Sequence, residues 1–297
     1  MLLAIFGRYF KDENFAEIQH FFDSLEKKKI DFIIYRKYYE DCLRNGLNLQ
    51  ARIKTFDTHE DFITHKFDYL ISIGGDGTIL SSIEYIRETE LPVVGINTGR
   101  LGFLAGVSAP NASKAIEDIE KGHYSIDSRT VLQLESNVEI FSGVKFALND
   151  FVIHKKDTAS MVTIHTFING EFLNSYWSDG LIISSPTGST GYNLSCGGPI
   201  LYPSSESFVI TPISPHNLNV RPIIVSDKNI ISFEIEGRSS SFLATLDSRS
   251  ESINQNVQLA IRKADFKFNL VRMNEENYLS TLRQKLMWGY DNRNFRH

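Results

Sequence analysis

Cysteine is scarce: Cys42 and Cys196 are the only two in 297 residues and lie far apart. Neither a disulfide framework nor a cysteine metal cluster is available, and a reducing cytoplasmic setting is expected. Positive charge is not in excess either. The 31 Lys and Arg stand against 36 Asp and Glu, a formal net charge of -5, so no overall field would hold the chain on nucleic acid or on an anionic membrane. No apolar run approaches membrane-spanning length, and Met1 to Phe6, which stops at Gly7-Arg8 without a basic leader, reads as a first buried strand. The eight histidines show no His-x-x-x-His pairing, which leaves a zinc site without support and makes them surface or core residues. No Gly-x-Ser-x-Gly elbow is present, so a hydrolase lacks its nucleophile signature.

What is present is the composition of a soluble globular chain, 42% hydrophobic and 23% charged, at a length that suits two domains. The first hundred residues alternate short apolar runs with stretches of helical spacing, an α/β signature. Leu2 to Phe6 and Phe32 to Tyr35 read as strands. Phe15, Ile18, Phe22 and Leu25 mark one face of a helix that closes at Lys27-Lys28-Lys29, where cations suit the dipole. Phe67 to Ile73 leads into Gly74-Gly75-Asp76-Gly77-Thr78, and Ile79, Leu80, Ile83 and Ile86 then take up helical spacing. Leu91 to Ile96 adds the next strand and completes a βαβ unit.

From about residue 125 the period changes to two. Val162, Ile164, Thr166 and Ile168 alternate up to Asn169-Gly170, a strong hairpin signal. Strand-like runs follow at 230–235, 242–246 and 257–271, so the second domain should be β-rich and of sandwich type. Leu279, Leu282 and Leu286 predict a terminal helix over 278–288. The expected boundaries are 1–104, joined by 275–297, for the α/β domain and 105–274 for the β-rich one.

Two loops concentrate the residues that chemistry needs. Gly74-Gly75-Asp76-Gly77-Thr78 follows a strand and opens a helix, where glycines let backbone amides approach a phosphate and the helix N-terminus supplies positive potential. Asp76 is the odd member, because a carboxylate repels phosphate. It fits by holding a metal that carries a nucleotide, or by accepting the proton of a hydroxyl that attacks phosphorus. An ordinary Gly/Asp turn reads the same residues without chemistry. The second loop runs from Asp179 to Pro199 and is dense in hydroxyls and glycines around a single tyrosine, Tyr192, which suits sugar hydroxyls, phosphate and a flat base. It contains no Gly-Lys-Ser/Thr and is not the Rossmann fingerprint, so the usual P-loop apparatus is not supported.

Taken in order, these loops, with Gly95-Ile96-Asn97-Thr98-Gly99-Arg100-Leu101-Gly102-Phe103-Leu104, Leu148-Asn149-Asp150, Pro212 to Pro222 and an ending Leu282 to Gly289, resemble the NAD kinase family over roughly residues 70 to 290. The Gly-Gly-Asp-Gly loop alone also resembles phosphofructokinases and the diacylglycerol and sphingosine kinases. The resemblance implies a Rossmann-like first domain and transfer of the terminal phosphoryl group of ATP, with Mg²⁺, to the 2′-hydroxyl of the adenosine ribose of NAD. It implies that Asp76 is the catalytic base, with Gly75, Gly77, Thr78, Asn97 and Phe103 lining the same region. It also implies that Asn149, Asp150, Asp179, Thr187, Thr190, Gly191, Tyr192 and Ser195 bind NAD. Asn149-Asp150 also reads as a plain strand-end turn.

Three positions depart from the family's pattern. Gly191 stands where many members carry alanine, and Trp177 where several bacterial relatives have arginine. Arg249 follows Asp247-Ser248 where relatives often have glutamine, and it is carried as a candidate phosphate contact or as a surface arginine after a turn. His216 is read as structural. The basic residues Arg283, Lys285, Arg293 and Arg296 form a solvated face or meet a phosphate or a neighbouring subunit. The expected partners are small nucleotides, with no nucleic acid and no membrane, in a homodimer or homotetramer. Two other readings are a lipid kinase built on the first domain and a dinucleotide-binding sensor without chemistry.

Overall fold

The structure is a computed structural model that describes residues 1–9, 12–49, 53–100, 102–156, 160–238, 240–273 and 277–288. Leu101, Gly289, Arg293 and Arg296 lie outside the described residues. The chain divides into two compact units, Met1–Asp127 with Asn269–His297, and Ser128–Phe268.

The first unit is a parallel sheet flanked by helices. Its strands are β1 (Leu2–Gly7), β2 (Asp31–Tyr35), β3 (Thr55–Phe56), β4 (Tyr69–Gly74), β5 (Val93–Asn97) and β6 (Val107–Ser108). They pair in parallel in the order β3, β2, β1, β4, β5, β6. The helices are α1 (Phe15–Lys27), α2 (Arg36–Arg44), α3 (His59–Ile63), α4 (Asp76–Ile86) and α5 (Ala112–Glu120). Leu3, Ile5, Ile71, Ile73, Val94 and Ile96 form the buried centre with Ile18, Phe21, Phe22 and Leu25 of α1, which places the α1 stripe on the sheet as the spacing predicts. Phe15, counted in that stripe, is instead an exposed residue at the helix start.

This unit runs past the expected end at residue 104. Ala112, Ala115, Ile116 and Ile119 of α5 belong to the same core as α1, so the boundary moves to Asp127, inside β7 (Tyr124–Ser136). The apolar face of α5 decides this, because a helix with that face must bury it on the nearest core.

The second unit is antiparallel. Beyond β7 come β8 (Phe146–Ala147), β9 (Asp150–Lys155), β10 (Val162–Ile168), β11 (Glu171–Ser178), β12 (Gly180–Ser184) and the single-turn α6 (Tyr192–Ser195). They are followed by β13 (Ser207–Ile213), β14 (Ile223–Ser226), β15 (Ile231–Gly237), β16 (Ser241–Leu246), β17 (Arg249–Asn254) and β18 (Leu259–Met273). One sheet runs β11, β10, β15, β18 and the other β14, β13, β12, β9, β16, β17. Their facing apolar residues, among them Ile164, Phe233 and Ile261 from one sheet and Phe151, Ile183 and Phe208 from the other, form one core, a β-sandwich. Asn169 and Gly170 turn the β10–β11 hairpin with φ of 51° and 83°, the left-handed pair its sequence asks for. The last residues of β18 return the chain to the first unit, where Leu270 pairs with Val93, and α7 (Tyr278–Leu286) follows.

Candidate functional site

In the first unit, β4 ends at Gly74, whose φ is +153°, and a Cβ there would sit 2.2 Å from Thr78 Oγ1. The chain turns at once, and Gly75 caps α4 with Asp76 as its first residue. A residue with no side chain is therefore needed where strand becomes helix. Gly75 and Gly77 are exposed, whereas Thr78 is buried.

The half-buried Asp76 carboxylate is tightly held. The backbone N–H of Phe103 donates to Oδ2 at 2.7 Å, and those of Leu104 and Ala105 donate to Oδ1 at 3.1 and 3.0 Å. Gly102 makes this approach possible, since a Cβ there would lie 1.7 Å from Oδ1. Oδ1 has both acceptor positions filled, and Oδ2 keeps one among the described residues. The carboxylate is thus fixed in orientation with one lone pair to offer.

Asn97 and Phe103 shape the same loop. Buried Asn97 donates to the Arg100 carbonyl at 2.7 Å and accepts from the Gly99 N–H at 2.7 Å, so its side chain organises the loop. The Phe103 ring lies 6.4 Å from that of Tyr278, with Lys285 Nζ 5.9 Å above it. Lys285 of the basic tail therefore stands against this aromatic.

In the second unit, a carboxylate that sequence reasoning missed organises the Asn149-Asp150 turn. Asp247 sits at φ 51° in the two-residue turn between β16 and β17. It accepts the backbone N–H of Leu148, Asn149 and Asp150 at 2.8, 2.8 and 3.1 Å, and its own N–H donates to the Asp150 carbonyl at 3.0 Å. Burial pushes its carboxyl up while the three amides oppose that shift. Asp150 is buried with no side-chain hydrogen bond among the described residues; burial first and the nearby Asp247 second push it up to about 8. Two neighbouring carboxyls titrate as a pair. The three amides aimed at Asp247 favour its charged form, and a charged neighbour in turn favours the protonated form of Asp150.

Asn149 presents a buried Oδ1 that has no hydrogen-bond partner among the described residues. A polar atom left so is costly unless something else meets it. The Asp179 to Pro199 loop wraps this turn, and its hydroxyls divide into two sets. Ser185 donates to the Leu148 carbonyl at 2.5 Å, Ser189 donates to Pro186 and accepts from Leu201, and buried Thr187 accepts from Arg129 Nη1 at 3.2 Å. These build the loop. Thr190, Gly191, Tyr192 and Ser195 stand further out, with Tyr192 and Ser195 exposed. Tyr192 stacks on the His154 ring at 5.7 Å, and Asp179 pairs with Lys155 at 2.5 Å. Burial lowers the His154 pKa against the opposing pull of Asp179. A methyl at Gly191 would meet the Gly188 carbonyl at 3.3 Å and Asn149 Nδ2 at 3.8 Å, so alanine fits there with a small adjustment.

The Arg249 guanidinium donates to the carbonyls of Val144, at 2.8 Å, and Phe146. That geometry has it holding residues 144–146. Trp177 is about half exposed, its ring 4.6 Å from that of His216, and the His216 backbone N–H donates to the Trp177 carbonyl. Among the described residues no group of three His, Cys, Asp or Glu could hold a metal ion, and no described helix is long and apolar enough to cross a membrane.

Comparison with known proteins adds the family. Residues 9–124 match the ATP-NAD kinase N-terminal domain and residues 148–273 the ATP-NAD kinase C-terminal domain. An NAD kinase from Cytophaga hutchinsonii is 48% identical over 294 residues, 99% of this chain and 100% of the relative. One from Flavobacterium psychrophilum is 43% identical over 296 residues, with the same coverage. Among solved structures, yeast NADH kinase complexed with NADH matches with a TM-score of 0.87 at 22% identity, covering 100% of this chain and 90% of that one. That last likeness speaks to fold alone.

Proposed function

Because the chain belongs to the NAD kinase family, we propose that it transfers the terminal phosphoryl group of ATP to the 2′-hydroxyl of the adenosine ribose of NAD, and that Asp76 takes the hydroxyl proton. The observation that carries the base assignment is the remaining lone pair on Oδ2 of a carboxylate held by three amides. A general base must present an acceptor in hydrogen-bond reach of the proton it takes, and a fixed one loses little to reorganisation. The oxygen attacks phosphorus as the O–H bond breaks, the proton moves to Asp76, and ADP leaves with the bond electrons. Gly75 and Gly77, exposed at the start of α4, suit close approach of phosphate to backbone.

NAD recognition belongs in this reading to Asn149, Asp150, Asp179, Thr190, Gly191, Tyr192 and Ser195. The unpartnered Asn149 Oδ1 supports it, as an acceptor suited to an amide or amino N–H of the dinucleotide. Thr78, Thr187 and Asn97 support the loops from within. Magnesium neutralises donor phosphate charge when bound. A cytoplasmic location and a homodimer or homotetramer complete the proposal. The match over residues 148–273 leaves the lipid-kinase reading without support, because that reading draws on the first domain alone.

The test is a coupled assay with Mg²⁺, ATP and NAD, read by an NADP-specific dehydrogenase. Asp76→Asn should lower kcat roughly 10²–10⁴-fold while NAD affinity changes far less. Wild-type turnover in that variant removes Asp76 from the base role. NAD binding without ATP-dependent product would favour a sensor.

A further inference from the structure

Asp76 is held at one remove by a residue from the far end of the chain, and we infer that Arg272 is a positioning residue for the transfer step, acting through two peptide groups. Its Nη2 donates to the Phe103 carbonyl at 2.9 Å and its Nη1 to the Leu104 carbonyl at 3.3 Å. The peptide that ends in the Phe103 carbonyl begins with the Leu104 N–H, and the peptide of the Leu104 carbonyl carries the Ala105 N–H. Those are the two amides that donate to Asp76 Oδ1. One guanidinium thus grips the carbonyl end of both peptides whose other ends grip the carboxylate.

The arrangement has consequences for orientation and for charge. Gly102, next to the gripped segment, has no side chain to restrain it, so residues 103–105 need an external anchor to keep their amides aimed at Asp76. Arg272 supplies a planar fork that spans two successive carbonyls, which a lysine cannot do. Nε is fixed in turn by Asp127 at 3.2 Å, and the Arg272 side chain is only 16% exposed. A cation on the carbonyl side also polarises each peptide, which strengthens the N–H as a donor on the other side.

The inference rests on the base role assigned to Asp76 above, and the experiment separates the two. Full-length Arg272→Gln and Arg272→Lys are assayed with Mg²⁺, ATP and NAD, each with Asp76 and with Asp76→Asn, alongside thermal melts. Arg272→Gln should lower kcat roughly 10- to 100-fold, the scale of a small misplacement, with KM for NAD and ATP within about twofold. Arg272→Lys should fall between it and wild type. In the Asp76→Asn background, where turnover is low but still detectable, Arg272→Gln should change kcat by less than about twofold, because the group it positions is gone.

An equal loss in both backgrounds, or a folded Arg272→Gln with wild-type kcat, would overturn the inference and leave the Asp76 assignment standing. Undiminished turnover in Asp76→Asn alone would overturn both. If Arg272→Gln does not fold, Arg272→Lys carries the same comparison.

Discussion

Replacing Gly102 by alanine tests the geometry around Asp76 with a single methyl group. The new Cβ would lie 1.7 Å from Oδ1, 2.4 Å from Cγ and 2.7 Å from Oδ2 of Asp76. Three backbone amides hold that carboxylate, so either it leaves them or residues 102–105 move. Hydrogen bonds to a charged group contribute about 1.5–3 kcal/mol each, so losing all three costs roughly 4–9 kcal/mol. A shifted loop keeps part of that, and a loss of about 3 kcal/mol is expected, lowering Tm by about 6–12 °C for a unit of this size. Turnover should fall as far as it does in Asp76→Asn, roughly 10²–10⁴-fold, because the proposed base no longer points where it did. Calorimetry and the coupled NADP assay read both effects. A Gly102→Ala protein with kcat within about twofold of wild type would refute the reasoning, since the contact cannot then be where the structure places it.

Two further predictions concern the second unit. Asp247→Asn keeps an oxygen for the Asn149 and Asp150 amides but turns an NH₂ toward the Leu148 N–H. Stability should fall by about 1–3 kcal/mol for the one unsatisfied amide, and NAD affinity should weaken; unchanged calorimetric titration with NAD would argue against the hub. The Asp150 carboxyl, pushed up to about 8, makes stability depend on pH. The native state holds a proton that the unfolded chain releases near pH 4, so the wild type loses stability as pH rises from there toward 8. Asp150→Asn removes that slope, and its stability relative to wild type should rise by up to roughly 3 kcal/mol between pH 5 and 7.5. Denaturant curves at those two pH values check it, and parallel curves would exclude the buried proton.

Local punctuation made much of the fold legible. The strand, the Gly74 to Thr78 turn and α4 are adjacent in sequence, and the Asn169-Gly170 hairpin announces itself by residues that tolerate positive φ. The parts that stayed hidden join distant residues. Arg272 reaches Phe103 across 169 positions, and Asp247 reaches Leu148 across 99; no window of periodicity covers such spans. Asp247 drew no reading of its own from the sequence, and its task is visible only once β16 lies beside β9. The hydroxyl-rich loop gave a different difficulty. Ser185, Thr187 and Ser189 look like ligand-binding hydroxyls by composition, yet their oxygens are engaged by Leu148, Arg129 and Pro186, and only burial separates them from Tyr192 and Ser195.

The return of β18 to the first unit bears on the order in which the protein is made. A chain emerging from the ribosome completes residues 1–127, Asp76 included, long before residue 272 is joined, and the whole β-sandwich is synthesised in between. If Arg272 fixes the loop that aims Asp76, a nascent or prematurely terminated chain carries the base but not the means to hold it. The last anchor of that loop then arrives with the final few dozen residues, after the whole second unit has been translated.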